Sequence, residues 1–311
     1  GTRLWPAPLQ TFPKPFMKIG GSTLLQQAIE RGQACGSGQV LIVTNKDHQF
    51  LTQDVLSQMA NPPAATFLLE PKGRNTAPAI SLAALQCASQ FGDDTVMLVL
   101  AADQLIPDVE AFVASASEAF RLAEQGKLVL FGINPTSPDT GFGYVEVDHV
   151  ARQPQPVCRF VEKPDLPTAQ EFLATGRYYW NSGMFAFTAR AIIAALERYA
   201  PDVIQAARSV LAGAQVKGQH LHFDAQAFGV QPDISIDYAV MERADNVVVV
   251  PAKFAWSDVG SWPSVAQAHV RDASGNSFDR EVIAIDTTGT HVQVVSHGPK
   301  AVATVGVHDM V

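Results

Sequence analysis

Cysteine is scarce in this 311-residue chain: Cys35, Cys87 and Cys158 are odd in number, far apart and without a C-x-x-C pair. Neither a disulfide framework nor a structural zinc site is indicated, and a reducing cytoplasm suits such a sequence. Long apolar runs are missing as well. T-V-M-L-V-L-A-A at 95–102 is too short to span a bilayer. Positive charge is in deficit, with 22 Lys and Arg against 30 Asp and Glu and a formal net charge of -8. That balance excludes an electrostatic grip on nucleic acid or an anionic membrane, yet allows a small anionic ligand in a local pocket. No G-x-S-x-G elbow, no Cys with a suitably placed His and no G-x-G-x-x-G occurs, so a serine or cysteine nucleophile and a dinucleotide fingerprint are both unsupported.

What the chain has is apolar material for a core, 47% hydrophobic against 17% charged residues. Short Val/Leu/Ile runs alternate with helix-period segments: 40–44 then 46–60, 65–70 then 77–91, 95–101 then 108–125, and 127–133. This βαβ rhythm predicts a doubly wound α/β sheet with strands buried on both faces. After about residue 140, strand-like pieces at 144–148, 157–162 and 183–187 precede helical runs at 189–212 and 235–243, and V-V-V-V at 247–250 returns to the core. The reading is one domain over 1–265 with a smaller mixed layer, then a β-rich tail over 266–311. The sequence starts at Gly1 without methionine and stops at V-H-D-M-V, so both ends are expected to be cut.

In open α/β sheets ligands bind beyond the carboxyl ends of strands, so the loops there carry the functional expectations. In G-T-R-L-W-P and F-P-K, Arg3 and Lys14 read either as donors to a polyphosphate or as solvated cations near a terminus. In E-P-K-G-R-N-T-A-P-A at 70–79, Gly73 permits close backbone approach to a flat ligand and Asn75 offers an amide to a base edge. Arg74 is free to reach a phosphate or brace the loop, and Thr76 sits where a helix takes its cap. Asp103 in A-A-D-Q reads as a Mg²⁺ ligand or as a turn residue, and Asp258 in W-S-D-V-G-S-W is its candidate partner. T-G-F-G-Y, F-V-E-K-P and W-N-S-G-M-F supply Gly143, Glu162, Lys163 and Asn181, suited to vicinal hydroxyls and a phosphate, or else to a hairpin, a surface ion pair and an Asx turn. His220 and His222 form an H-x-H pair on what reads as a polar 217–223 loop, metal ligands or plain surface histidines.

Taken in order, these motifs together with S-I-D-Y-A-V-M-E resemble those of the mannose-1-phosphate guanylyltransferase (GDP-mannose pyrophosphorylase) family of sugar nucleotidyltransferases, from Gly1 to about residue 265. The resemblance implies a Rossmann-like nucleotidyltransferase fold with a mixed central sheet, a smaller sugar-binding subdomain and a C-terminal β tail. It also implies conversion of GTP and mannose 1-phosphate to GDP-mannose and pyrophosphate, with Mg²⁺ as cofactor. Arg3 and Lys14 would then lie on the phosphates, Gly1, Thr2, Gly73, Arg74, Asn75 and Thr76 at the nucleotide, and Asp103 and Asp258 on the metal. Gly143, Glu162 and Asn181 would surround the mannose, with Lys163 near its phosphate, and a homodimer is compatible with this reading. The family's phosphate loop, G-G-x-G-T-R, is represented only by G-T-R, so the first strand and most of that loop are expected to be missing. W-P-A-P-L stands for W-P-L-S-R and A-A-D-Q for P-A-D-H. A cupin isomerase domain follows in one branch of the family and is left open here. The rival readings are a non-catalytic nucleotide-sugar-binding regulator, a pyrophosphorylase for another sugar or base, and a nicotinamide-dependent oxidoreductase supported only by the βαβ rhythm.

Overall fold

A computed structural model of the chain describes residues 13–267, 269, 271–278, 281–294 and 301–310. In chain order the elements are β1 (Lys18–Ile19), β2 (Ser22–Thr23), α1 (Leu24–Ala34), β3 (Gln39–Asn45), α2 (Gln49–Gln58), β4 (Ala64–Glu70), α3 (Thr76–Phe91), β5 (Val96–Val99), α4 (Val109–Ala123), β6 (Leu128–Ile133), β7 (Tyr144–Glu146), β8 (Gln155–Pro156) and β9 (Arg159–Val161). Then follow α5 (Leu166–Thr175), β10 (Tyr178–Thr188), α6 (Ala189–Tyr199), α7 (Pro201–Ala212), β11 (Gln215–Lys217), β12 (His220–His222), α8 (Ala225–Gly229), a π-helical turn (Asp237–Met241), β13 (Val247–Pro251), α9 (Trp262–Gln267), β14 (Ser277–Phe278), β15 (Val282–Ile285), β16 (His291–Val292) and β17 (Val302–Val305). They fall into two compact units. One comprises the described residues of 1–29, 102–107 and 256–311; the larger comprises 30–101 and 108–255.

The larger unit is built on a mixed sheet of order β8-β13-β6-β10-β7-β9, with β5 added on β10. The valine run of β13 lies parallel to β6, Val247 opposite Leu128 and Pro251 opposite Gly132. Both strands are buried along nearly their whole length, as continuous apolar runs require. β10 runs antiparallel to β5, β6 and β7. A second sheet, β11-β12-β4-β3, pairs β4 in parallel with both β3 and β12. Helix α3 serves two cores: Ile80, Ala84 and Cys87, at helical spacing, share one with Ile192 and Leu196 of α6. Leu82 shares the other with Ala207 and Val210 of α7 and with Leu221. The expected helical run 189–212 is two helices because Pro201 takes the first position of α7 and cannot continue α6.

Within the smaller unit, Gly20 and Gly21 take φ of 66° and 96° to turn β1 back on β2. Met17, Ile19, Leu24, Leu105, Val259 and Val265 form its apolar cluster. The C-terminal strands pair in parallel, β14 with β16 and β15 with β17, and a Thr288–His308 bridge extends the second pair.

Two expectations need correction. Segment 217–223 is not a polar loop: β11 and β12 form a hairpin turned at Gly218, whose φ is 60°, and β12 joins the sheet beside β4. Burial on both faces fails for β3, where only Ile42 is buried; among the described residues β3 pairs with β4 alone and is an edge strand.

Gly132 is closely packed between neighbouring strands of the sheet. A Cβ there would lie 2.5 Å from Val249 Cγ2 and 2.8 Å from Tyr179 Cβ. Gly132→Ala is expected to lower the unfolding free energy by about 1–3 kcal/mol, read from denaturant titration. An unchanged midpoint would show that β13 can move aside.

Candidate active site

In the smaller unit, Leu105 and Ser257 exchange backbone hydrogen bonds of 2.9 and 3.0 Å, and Trp256 Nε1 donates to Gln104 Oε1 at 3.0 Å. These bonds lay the Asp103 segment beside the Asp258 segment, although the two are far apart in sequence. Lys14 lies between them. Its Nζ donates to Asp103 Oδ2 at 3.0 Å and also to the carbonyl oxygen of Asp258. The Asp258 carboxylate folds over its own turn, Oδ1 accepting from Gly260 N–H at 3.1 Å, with Val259 at a φ of 49°. A cation already gathers oxygens of both segments, so a hard, oxygen-liking divalent ion fits this donor chemistry. Among the described residues no group of three or more His, Cys, Asp or Glu side chains forms a metal cage. Mg²⁺ held by one or two carboxylates and substrate phosphates needs none. Gly1, Thr2 and Arg3 lie outside the described residues.

In the larger unit the decapeptide leaves β4 and enters α3. Asn75, at a φ of 65°, caps that helix: its Oδ1 accepts from Thr76 N–H at 3.0 Å. Thr76 is therefore not the cap as expected. It is the first helical residue, and its Oγ1 accepts from Ile236 N–H at 2.9 Å. Arg74 braces the loop, its guanidinium donating to the Gly229 carbonyl. Around Gly73 a Cβ would meet nothing within 4 Å, so an open face lies there. Glu70, the last residue of β4, is not singled out by the sequence. It is buried, its Oε1 has no hydrogen-bond partner among the described residues, and burial pushes its carboxyl up to about 7.

A second cluster in that unit joins three motif loops. Asn181 N–H donates to the Gly143 carbonyl at 2.8 Å. A Cβ on Gly143 would lie 2.5 Å from Glu162 Oε2, so only glycine admits the carboxylate there. Lys163, at a φ of 45°, pairs with Glu162 at 3.0 Å and is itself 63% exposed, against 12% for Glu162. Asn181 Nδ2 donates to Asp237 Oδ1 at 2.9 Å, and its Oδ1 accepts from Gly183 N–H at 3.1 Å. Sequence reasoning also misses Asp237 as an individual residue, although its S-I-D-Y-A-V-M-E segment carries part of the resemblance. Burial first, and the neighbouring Glu162 carboxylate second, push it up to about 6. Gly143, Glu162, Lys163 and Asn181 are thus brought together. His220 and His222 stand apart from this cluster in the sheet: the His220 ring stacks on Phe67 at 4.7 Å and bonds Gln53 at 3.0 Å, packing roles that leave the metal option without support.

The chain belongs to the nucleotidyl transferase family, whose sequence profile matches residues 1–275. It is 42% identical over its whole length to the xanthan biosynthesis protein XanB of Xanthomonas campestris pv. campestris (strain B100) and 42% identical to the mannose-1-phosphate guanylyltransferase of Escherichia coli (strain K12). It spans 65% and 66% of those proteins, just under two thirds of their length. A crystal structure described as a mannose-1-phosphate geranyltransferase, from Thermus thermophilus, matches 98% of the chain and 87% of its own, with a TM-score of 0.82 and 32% identity. The mixed α/β architecture is therefore the nucleotidyltransferase fold. No helix among the described residues is long and apolar enough to cross a membrane.

Glu70 yields a stability prediction. Its folded pKa, about 7, lies above the ordinary 4.5, so the folded state holds the proton more tightly. Stability from this group is complete below about pH 4.5 and is lost as pH rises through about 7. Glu70→Gln, neutral at every pH, should raise unfolding free energy at pH 8 by on the order of 1–3 kcal/mol and flatten the slope between pH 4.5 and 7. Parallel curves for both proteins would refute the buried charge.

Proposed function

We propose that the protein is a mannose-1-phosphate guanylyltransferase, joining GTP and mannose 1-phosphate into GDP-mannose with release of pyrophosphate. The observation that carries this reading is Lys14 holding Asp103 Oδ2 and the Asp258 carbonyl at one point, a cation-and-carboxylate arrangement suited to a metal-bound polyphosphate. The E. coli guanylyltransferase, alike over the whole chain, supports the choice of substrates. The sugar phosphate oxygen attacks the α-phosphorus of GTP in line and pyrophosphate leaves, so no protein nucleophile is required. Asp103 and Asp258 would hold Mg²⁺, which supplies neutralisation of phosphate charge when bound. Lys14 and Arg3 stabilise the charge on the phosphates. Gly143, Glu162 and Asn181 receive the mannose hydroxyls and Lys163 its phosphate.

Gly1 and Thr2 are assigned, with Arg3, to the nucleotide. The guanine is assigned to the loop after β4, to Gly73, Arg74, Asn75 and Thr76. Guanine presents ring and exocyclic N–H donors that adenine does not arrange in the same way, and these need acceptors. Asn75 Oδ1 already serves Thr76 N–H. Glu70 Oε1, without a hydrogen-bond partner among the described residues, is assigned as one such acceptor.

Pyrophosphate release by the full-length protein from GTP, ATP and UTP with a panel of sugar 1-phosphates tests the reading. Turnover should be highest with GTP and mannose 1-phosphate; a protein that binds but turns over none is a regulator instead. Asp103→Asn and Asp258→Asn should each lower turnover by on the order of 10²-fold or more at limiting Mg²⁺, with unchanged circular dichroism. Near-normal rates in both would remove them from the metal. Glu70→Gln should narrow the GTP-over-ATP preference about 10-fold, equivalent to roughly 1.4 kcal/mol, and more than Asn75→Ala does. Equal losses on both nucleotides would take Glu70 out of base reading.

A further inference from the structure

Asp237 sits where stability alone gives no reason for a carboxylate. It opens the π-helical turn 237–241, in a segment whose Ile236, Ala239, Val240 and Met241 belong to the core. Glu162 and Glu242 are its charged neighbours, both of its own sign. Its side-chain hydrogen-bond partner is the Asn181 amide. A half-buried carboxylate beside like charge is unfavourable unless something requires it. Its position is nevertheless fixed, because Ile236 N–H bonds Thr76 Oγ1 at 2.9 Å and Ala77 N–H bonds the Ile234 carbonyl at 3.1 Å.

We propose that Asp237 is the positioning residue of Asn181, locking its amide in one orientation for the sugar hydroxyls. Resting on the reading of Asn181 as a mannose contact, the proposal is geometric. An asparagine amide looks nearly the same after a half-turn about its Cβ–Cγ bond, so its donor and acceptor exchange places unless both ends are held. Here Gly183 N–H holds Oδ1 and the Asp237 carboxylate, which only accepts, holds Nδ2. One Nδ2 proton stays available, aimed by the other. Without the carboxylate only the Gly183 N–H opposes the flipped orientation, which presents the wrong group to a hydroxyl acceptor.

Two measurements test this. In the full-length protein, Asp237→Ala should raise KM for the sugar 1-phosphate by about 10-fold or more, with kcat and KM for the nucleotide changed less than about threefold. Asp237→Asn, able to keep a carbonyl acceptor for Nδ2, should restore most of it. The double variant Asn181→Ala/Asp237→Ala should match Asn181→Ala alone, since Asp237 acts through Asn181; additive effects would overturn the proposal. Independently of any activity, the Asn181 side-chain amide protons, assigned by their loss in Asn181→Asp, should exchange with solvent slowly in the native protein and about 10-fold or more faster in Asp237→Ala. Unchanged exchange would overturn the locking even if the enzyme proved specific for another sugar. Failure of every sugar 1-phosphate in the native protein, with exchange responding as expected, would instead retire the functional reading and keep the locked amide.

Discussion

The hydrogen-bond ladder between β10 and β6 breaks between Asn181 and Phe185, and much of the larger unit depends on that break. On one side Trp180 faces Ile133 and Asn181 faces Gly132; on the other Phe185 faces Leu130 and Ala186 faces Val129. Three residues of β10 therefore oppose one of β6, a bulge that bends the strand and re-aims its side chains. Gly183, at a φ of 72°, makes the bend at no steric penalty, and Asn181 Oδ1 closes it by taking the Gly183 N–H. Across the bulge β10 changes its other partner, pairing with β7 before it and β5 after it. Asn181 continues the register with β7 one step past the Trp180–Tyr144 pair, its N–H on the Gly143 carbonyl, and the bend begins just beyond it.

Around this bend, apolar density and buried charge coexist. Leu128, Leu130 and Val249 are fully buried in the core, which leaves the strands little room to relax. Glu70 and Asp237 stand at the margins of that density, and each is held above its ordinary range, first of all by burial. Both are found where segments leave regular structure, at the end of β4 and at the start of a π-helical turn. Such placements lower stability, because each keeps an ionisable group in largely apolar surroundings.

The sequence makes the buried strands readable because β4, β6 and β13 are predominantly apolar runs, and α3 and α4 readable because their apolar residues recur at helical spacing. Other elements leave weaker marks. β10 is legible only from 183 onward, since N-S-G at 181–183 has the composition of a turn and cuts Y-Y-W off from the apolar run that follows. β1 and β2 are two residues each, and α1 carries a glycine and three glutamines in eleven residues. In the site, Gly143, Glu162 and Asn181 are legible because glycines and polar groups are out of place beside aromatic strands. Asp237 is hidden because an acidic residue in a helix-period run reads as its solvated face. Glu70 is hidden because a glutamate at the end of the run 65–70, beside Pro71, reads as a solvated strand end, whereas it is buried.

Charge in the larger unit is also directional. Glu162, Asp237 and Glu242 lie close enough that each of the last two is pushed upward in part by Glu162, and Lys163, on the exposed side, pairs with Glu162. A carboxylate accepts hydrogen bonds from sugar hydroxyls but repels a phosphate: at about 6 Å the repulsion between unit charges is roughly 3 kcal/mol in a medium of effective dielectric 20. Under the proposed reaction, a sugar phosphate entering hydroxyls first meets acceptors, and the reverse orientation meets like charge. Lys163 then favours the phosphate on the exposed side, where an attack on a second phosphate requires it to be.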